Sequence, residues 1–366
     1  DVYKRQSVCL AFILWKSYLF DVTSRFMQIK MTAMRRVLTF SVIGFLAVSM
    51  ISCDKGSQGR RTLLPNVTGR AGEVILVLNQ SAWEEPIGLA FKEILRDEYP
   101  MLPQSEPLFS LVTIGPQSFS DIFKTHRNII LTKVGNQYQK PQIIPQHDVW
   151  AAPQTVLNIV GPTYPAIAQM LYEERDRLVQ LLEQAERDRI ARNARKYEVR
   201  GLRDLLEKKF GVTMYFPAGY NLKLDTTDFV WISYEIPDVS QGIFIYEFPY
   251  TDPETFSQEY LVDKRNSMLK RFVPGPTVGS YMISSRMVPP SYVGITFRGR
   301  YFGQLRGLWD VENHAMGGPF ISLATLDEKQ NRIIVVEGFV FAPRFPKRNY
   351  LRQVEALLYT FEIKED

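Results

Sequence analysis

Cysteine and histidine are scarce. The 366 residues hold two cysteines, Cys9 and Cys53, and three histidines, His126, His147 and His314. Two cysteines cannot build a disulfide framework. The histidines show no HxH, HExxH or Cys-paired spacing, so no transition-metal site is expected. Also missing are a GxxxxGK[ST] loop, a GxGxxG after the first strand, a GxSxG elbow and an SxxK motif. No cofactor is expected, and no catalytic residue can be named from a local motif. Hydrophobic residues at 45% and charged residues at 23% give a globular balance, which excludes a disordered chain or a polytopic membrane protein.

An excess of one charge is absent as well, once the chain is divided. The net +5 lies wholly in residues 1–52, where seven basic residues face two acidic ones; from residue 53 onward 37 basic residues balance 37 acidic ones. The basic pI therefore gives no reason to expect a nucleic-acid partner.

The N-terminal stretch has features of its own. Met34-Arg35-Arg36 precedes an uncharged run over residues 37–51 (VLTFSVIGFLAVSMI), then Ser52 and Cys53. A basic start, an apolar stretch too short to cross a bilayer and a small residue make a secretory signal. Its end at Ser52-Cys53 resembles the lipobox of bacterial lipoproteins, with Met50 standing where that pattern prefers Leu. The resemblance implies a lipid on the Cys53 sulfur, cleavage before Cys53 and acylation of the new amino terminus. Several acyl chains, at roughly 0.8 kcal/mol per buried methylene, would hold the protein at a membrane surface. Residues 1–6 (DVYKRQ) resemble translated adapter sequence, so the start is expected at Met31 or Met34 and residues 1–52 read as extension plus signal peptide. Residues 53–72 are polar, glycine-bearing and aperiodic, and read as a flexible tether.

Two tandem domains are expected beyond it, 73–198 and 199–366, in an α+β or α/β class with each sheet packed by helices. In the first, strands are expected at 73–78, 108–115, 128–134 and 155–160. A helix follows Pro86, and a long one starts near Pro165 with a charged face that reads as solvated. In the second, residues 212–216, 229–236 and 243–248 read as strands, 320–326 and 333–341 as a hairpin, and the sheet as mainly antiparallel. A helix carrying Leu351, Val354, Leu357 and Leu358 closes the chain.

The segment from Arg306 to Phe320 (RGLWDVENHAMGGPF) is the most unusual. Read as a long loop between strands, it offers Arg306 and Trp309 for stacking on a sugar or peptide, and Glu312 with His314 for proton exchange. The alternative is a structural turn with Trp309 in the core and Gly317-Gly318 supplying permissive dihedrals. Arg298 and Arg300 are expected to share one face of a strand.

Several short motifs stand together: Glu106-Pro107-Leu108-Phe109, Trp150-Ala151-Ala152-Pro153-Gln154, Phe216-Pro217-Ala218-Gly219-Tyr220, Phe229-Val230-Trp231 and the RGLW…MGGPF segment. As a set, from Cys53 to the C-terminus, they resemble an uncharacterised lipoprotein family of Bacteroidota, domain of unknown function 4837. The second domain also looks loosely like the Mog1/PsbP α/β/α sandwich. The family resemblance implies a cell-envelope location facing the periplasm or cell surface, and carries over no catalytic residues. The expectation is a lipid-anchored, non-catalytic envelope protein with a protein or glycan partner. The alternative is a lipid-anchored hydrolase acting through Glu312 and His314.

Overall fold

A computed structural model describes residues 63–364. In its N-terminal half, strands β1 (Glu73–Val77), β2 (Ser110–Ile114), β3 (Asn128–Val134), β4 (Gln142–His147) and β5 (Thr155–Gly161) form one sheet in the order β2-β1-β3-β5-β4. Four strands are parallel, and β4 runs antiparallel to β5. Alternate side chains leave a strand on opposite faces. Val74, Leu76 and Ile130 thus pack under helix α1 (Pro86–Leu95), while Ile75, Val77 and Ile129 meet Phe119 and Phe123 on the other side. Phe123 lies on the short helix α2 (Asp121–Lys124). The stretch between the strands expected at 128–134 and 155–160 contains a further strand, β4. Its Pro145 is tolerated because β4 is an edge strand with ladder bonds on one side only.

The helix expected from Pro165 is two helices, α3 (Tyr164–Glu173) and α4 (Arg175–Lys196), with a break at Glu174 (φ −105°, ψ 24°). Thr163 caps α3 by accepting from the Ala166 N–H. Helix α5 (Arg200–Phe210) ends at Gly211 in the left-handed region, φ +64°, the conformation a glycine cap supplies without strain.

The C-terminal half is built on an eight-stranded antiparallel sheet. Its strands are β7 (Asn221–Asp225), β8 (Phe229–Ile236), β9 (Val239–Pro249), β10 (Met282–Ser284), β11 (Ser291–Phe297), β12 (Arg300–Val311), β13 (His314–Asp327) and β14 (Arg332–Phe341), in the order β10-β12-β13-β14-β9-β8-β7 with β11 also on β12. The short strands β6 (Val212–Thr213) and β15 (Glu362–Ile363) pair with each other. Both faces of the large sheet are covered. Ile243, Ile245, Ile334 and Val336 pack against α5 and the last helix, α7 (Arg348–Leu358). Phe244, Tyr246, Ile333 and Val335 pack against helix α6 (Gln258–Phe272). Coverage on both sides explains the consecutive apolar residues 243–246 of β9 and 333–336 of β14, since both faces are packed there. Within the second core, Arg265 is fully buried, donates from Nε and Nη2 to Glu337 at 2.7–3.0 Å, and stacks on Phe320.

The two sheets belong to one compact unit, Leu64–Asp366. The end of the stretch expected as tether is ordered. The Thr68 N–H donates to Thr125, and the Arg127 and Ala152 N–H groups donate to Thr68 and Pro65. Residues 65–68 thus lie as an arm along the first layer.

Candidate functional site

The segment expected as a loop at 306–320 is a hairpin. Strands β12 and β13 pair from Gly303↔Ala324 to Val311↔His314, leaving Glu312 and Asn313 as the turn. Asn313 takes φ +62°, a conformation Asn tolerates better than most residues. Gly317 and Gly318 are strand residues, and close approach explains them. A Cβ on Gly318 would sit 2.1 Å from the Val340 carbonyl oxygen. That same oxygen accepts the indole N–H of Trp309 at 3.2 Å, and Trp309 is 1% exposed, a core residue. Glu312 pairs with Arg286 at 3.0 Å, and His314 is exposed on the next strand. Arg298 lies in the β11–β12 turn at φ +50° and pairs with Glu362, so it is not a strand-face residue beside Arg300.

Arg306 goes elsewhere. It reaches the seam where α4 crosses α7, and donates from Nη2 to Glu355 at 2.7 Å. The Tyr99 hydroxyl donates to the other Glu355 oxygen at 3.2 Å, and Arg187 approaches the same carboxylate at 3.7 Å. Arg187 also lies over Tyr359, its guanidinium carbon 3.7 Å from the ring centroid. Burial pushes the Glu355 pKa up, yet Arg306 and Arg187 outweigh it and hold the carboxyl below its ordinary value. Burial beside Glu355 raises the Tyr99 phenol well above its usual range. These groups line a cavity of about 600 Å³, and Arg306 Nη1 is buried with no hydrogen-bond partner. The structure thus brings Arg306 into a cavity and leaves Trp309, Glu312 and His314 outside it.

The charged face of α4, expected to be solvated, is largely this seam. Glu183 accepts two hydrogen bonds from Arg352 of α7, that from Nε at 3.0 Å, and Glu186 is 1% exposed. Glu186 accepts from Asn128 Nδ2 at 2.7 Å and lies 3.1 Å from Arg189 Nη1 and 3.4 Å from Arg127 Nε. Glu183 and Arg187, four residues apart on α4, do not pair with each other but turn to Arg352 and Glu355 of α7. Glu106 adds a second clamp. Its carboxylate accepts the backbone N–H groups of Lys347 and Arg348 at the start of α7, while the Pro107 and Leu108 carbonyls accept from Arg348 and Arg352. A negative group here caps orphan donors and complements the helix dipole.

A second cavity, about 700 Å³, opens on the other side of the α4–α7 contact. Its lining includes Arg127, Arg189, Arg192, Lys196 and Arg352, and one carboxylate, Glu186. Pro153 of the WAAPQ motif and Pro217, Ala218 and Tyr220 of the FPAGY motif form part of its wall. Burial pushes the Arg189 pKa down to about 10, with Glu186 opposing and Arg127 adding to the fall.

Sequence reasoning missed Tyr99, Glu106, Arg187 and Glu355. A signal existed in the last helix, where Arg348, Arg352, Glu355 and Tyr359 follow at helical spacing beside the apolar stripe.

Cys53 lies outside the described residues. No helix among the described residues is long and apolar enough to cross a membrane. No curated protein matches the chain. Among solved structures it is similar to LpqN, involved in cell envelope biogenesis of Mycobacterium tuberculosis (12% identity, 42% of this chain and 83% of that one, TM-score 0.27). It is also similar to the Ran-binding protein Mog1p of Saccharomyces cerevisiae (8% identity, 42% and 90%, TM-score 0.29). A third is the human StarD13 (DLC2) lipid transfer and protein localization domain (10% identity, 44% and 95%, TM-score 0.22). Residues 200–360 match the family model described as domain of unknown function DUF4837, and residues 67–195 match a second, domain of unknown function DUF8532, so the 4837 likeness covers the C-terminal half alone.

Proposed function

We propose that this protein is a lipid-anchored component of a bacterial cell envelope, of Bacteroidota type, that binds a hydroxyl-rich ligand, an envelope glycan, without transforming it. The signal segment ending at Cys53 supports the anchor. One observation carries the binding reading: the cavity of about 600 Å³ at the seam, lined by Arg306, Arg187, Glu355, Tyr99 and Tyr359. A volume of this size suits a small molecule or a short oligosaccharide end. Around it stand guanidinium donors, the Glu183 and Glu355 carboxylates and two phenols, with the charges of Arg306 and Glu355 paired to each other. A mixture of donors and acceptors with little net charge fits hydroxyl groups better than ions.

Two measurements test this reading. Cys53→Ser is expected to move the protein from the membrane fraction to the soluble fraction; unchanged membrane association would remove the anchor. On an array of neutral envelope oligosaccharides, the full-length protein in detergent is expected to bind. Arg306→Gln should weaken that binding at least about tenfold, the cost of one charge-assisted hydrogen bond. Equal binding by the variant, or none by the parent, would overturn the assignment.

A further inference from the structure

The second cavity differs from the first in charge. Glu186 neutralises one of Arg127 and Arg189, and Glu183, from behind the wall, neutralises Arg352. Arg192 and Lys196, both exposed at the rim, have no carboxylate within ion-pair distance among the described residues. One guanidinium of the Arg127–Arg189 pair is thus left over together with Arg192 and Lys196, an excess of three positive charges.

Hydrogen-bonding capacity is left over too. Arg352 is 4% exposed, yet its Nη1 is buried without a hydrogen-bond partner. This nitrogen stands 2.4 Å from where a Cβ on Gly72 would lie, so the backbone just before β1 covers it closely only because residue 72 is glycine. Arg127 Nε is likewise buried without a hydrogen bond, its nearest acceptor being the Glu186 oxygen at 3.4 Å. Buried donors left unmatched cost stability, and a surplus of like charge in a walled cavity raises the local potential. The surplus of charge is relieved when an oxyanion enters. The rest of the wall is uncharged and mixed, with Tyr220, Tyr234, Gln241 and Gln353 at the base. Gln241 donates to Gln353 Oε1 at 2.9 Å and so fixes the orientation of that amide.

We propose that this cavity is a binding site for a multiply charged oxyanion, a phosphate-bearing small molecule or headgroup, held by Arg192 and Lys196 at the rim and by Arg127 and Arg352 within. Three excess cations exceed what one carboxylate needs, and the planar fork of arginine suits phosphate oxygens. The site is separate from the Arg306 cavity, and its test does not depend on that reading.

The probe is inorganic pyrophosphate, titrated calorimetrically into the full-length protein in neutral detergent. Saturable one-to-one binding is expected. It should weaken at least about tenfold in the Arg192→Gln/Lys196→Gln double variant, while Arg306→Gln leaves it intact. Both rim residues are exposed, so the double variant should keep the parent melting temperature. A second arm uses the Cys53→Ser protein with phosphatidylcholine vesicles, with and without phosphatidic acid. Binding only to phosphatidate vesicles, lost in the double variant, would identify a lipid headgroup as the source. Pyrophosphate binding lost in the same variant would identify a soluble phosphate compound. Absence of binding to either probe, or undiminished binding by the double variant, would overturn the proposal.

Discussion

One helix pair makes two cavities of similar size and unequal charge. Towards Arg306 the charges nearly close: Glu355 holds Arg306 and Arg187, one positive charge is left over, and Tyr99 completes its shell. Towards Arg192 they do not, and cations outnumber carboxylates. The Arg352–Glu183 pair stands between them, its guanidinium on the second cavity's lining and its carboxylate on the first's. A fold can thus use one set of interlayer ion pairs to nearly neutralise a pocket on one side and leave a pocket charged on the other. The difference lies in which carboxylates reach which side, since both sides are supplied with arginine.

The largest effect should come from removing that wall. Arg352→Ala leaves Glu183 unpaired and strips a buried stem from the seam. A loss of about 3 kcal/mol in urea unfolding is expected, at the low end for a broken buried pair because Glu183 keeps some solvent contact. A loss under about 1 kcal/mol would show that the wall is dispensable. Glu186→Gln sharpens the contrast instead. It removes the one lining carboxylate of the cationic cavity, and should cost about 2 kcal/mol while tightening oxyanion binding. Unchanged anion affinity would contradict the charge account.

Glu106→Gln leaves shape nearly intact but weakens the cap on α7, and about 1 kcal/mol is expected from thermal or urea unfolding. The smallest effect is a pH dependence. The folded pKa of Glu355 lies below its ordinary 4.5, so its stabilisation is present above that value and lost as pH falls through the folded one. Unfolding free energies measured from about pH 6 to about pH 3 should decline less steeply in Glu355→Gln than in the parent. Identical slopes would remove Glu355 from the account.

Much of this architecture was legible in the sequence. The 128–134 and 229–236 strands, the Pro86 helix and the Gly211 cap carry local signals, in periodicity, a fixed proline φ or a left-handed glycine. The expected mixed α/β class with a mainly antiparallel second sheet is the one the structure has. The site was less legible, for a physical reason. Arg306 was singled out by its odd neighbours Trp309 and His314, but strand alternation and the turn at Glu312 send those side chains to other environments. The charged face of α4 read as solvated because charge alone cannot distinguish water from a buried partner about 170 residues away, such as Arg352 facing Glu183. Glu106 gave no sign of its role, since the α7 N–H groups it caps lie 241 and 242 residues further along the chain.

Soaking crystals of the protein with tungstate and mapping anomalous scattering tests the contrast between the two cavities most directly. The account predicts a peak among Arg127, Arg192, Lys196 and Arg352, and none beside Arg306 and Glu355. A peak at Arg306 with the cationic cavity empty would contradict it.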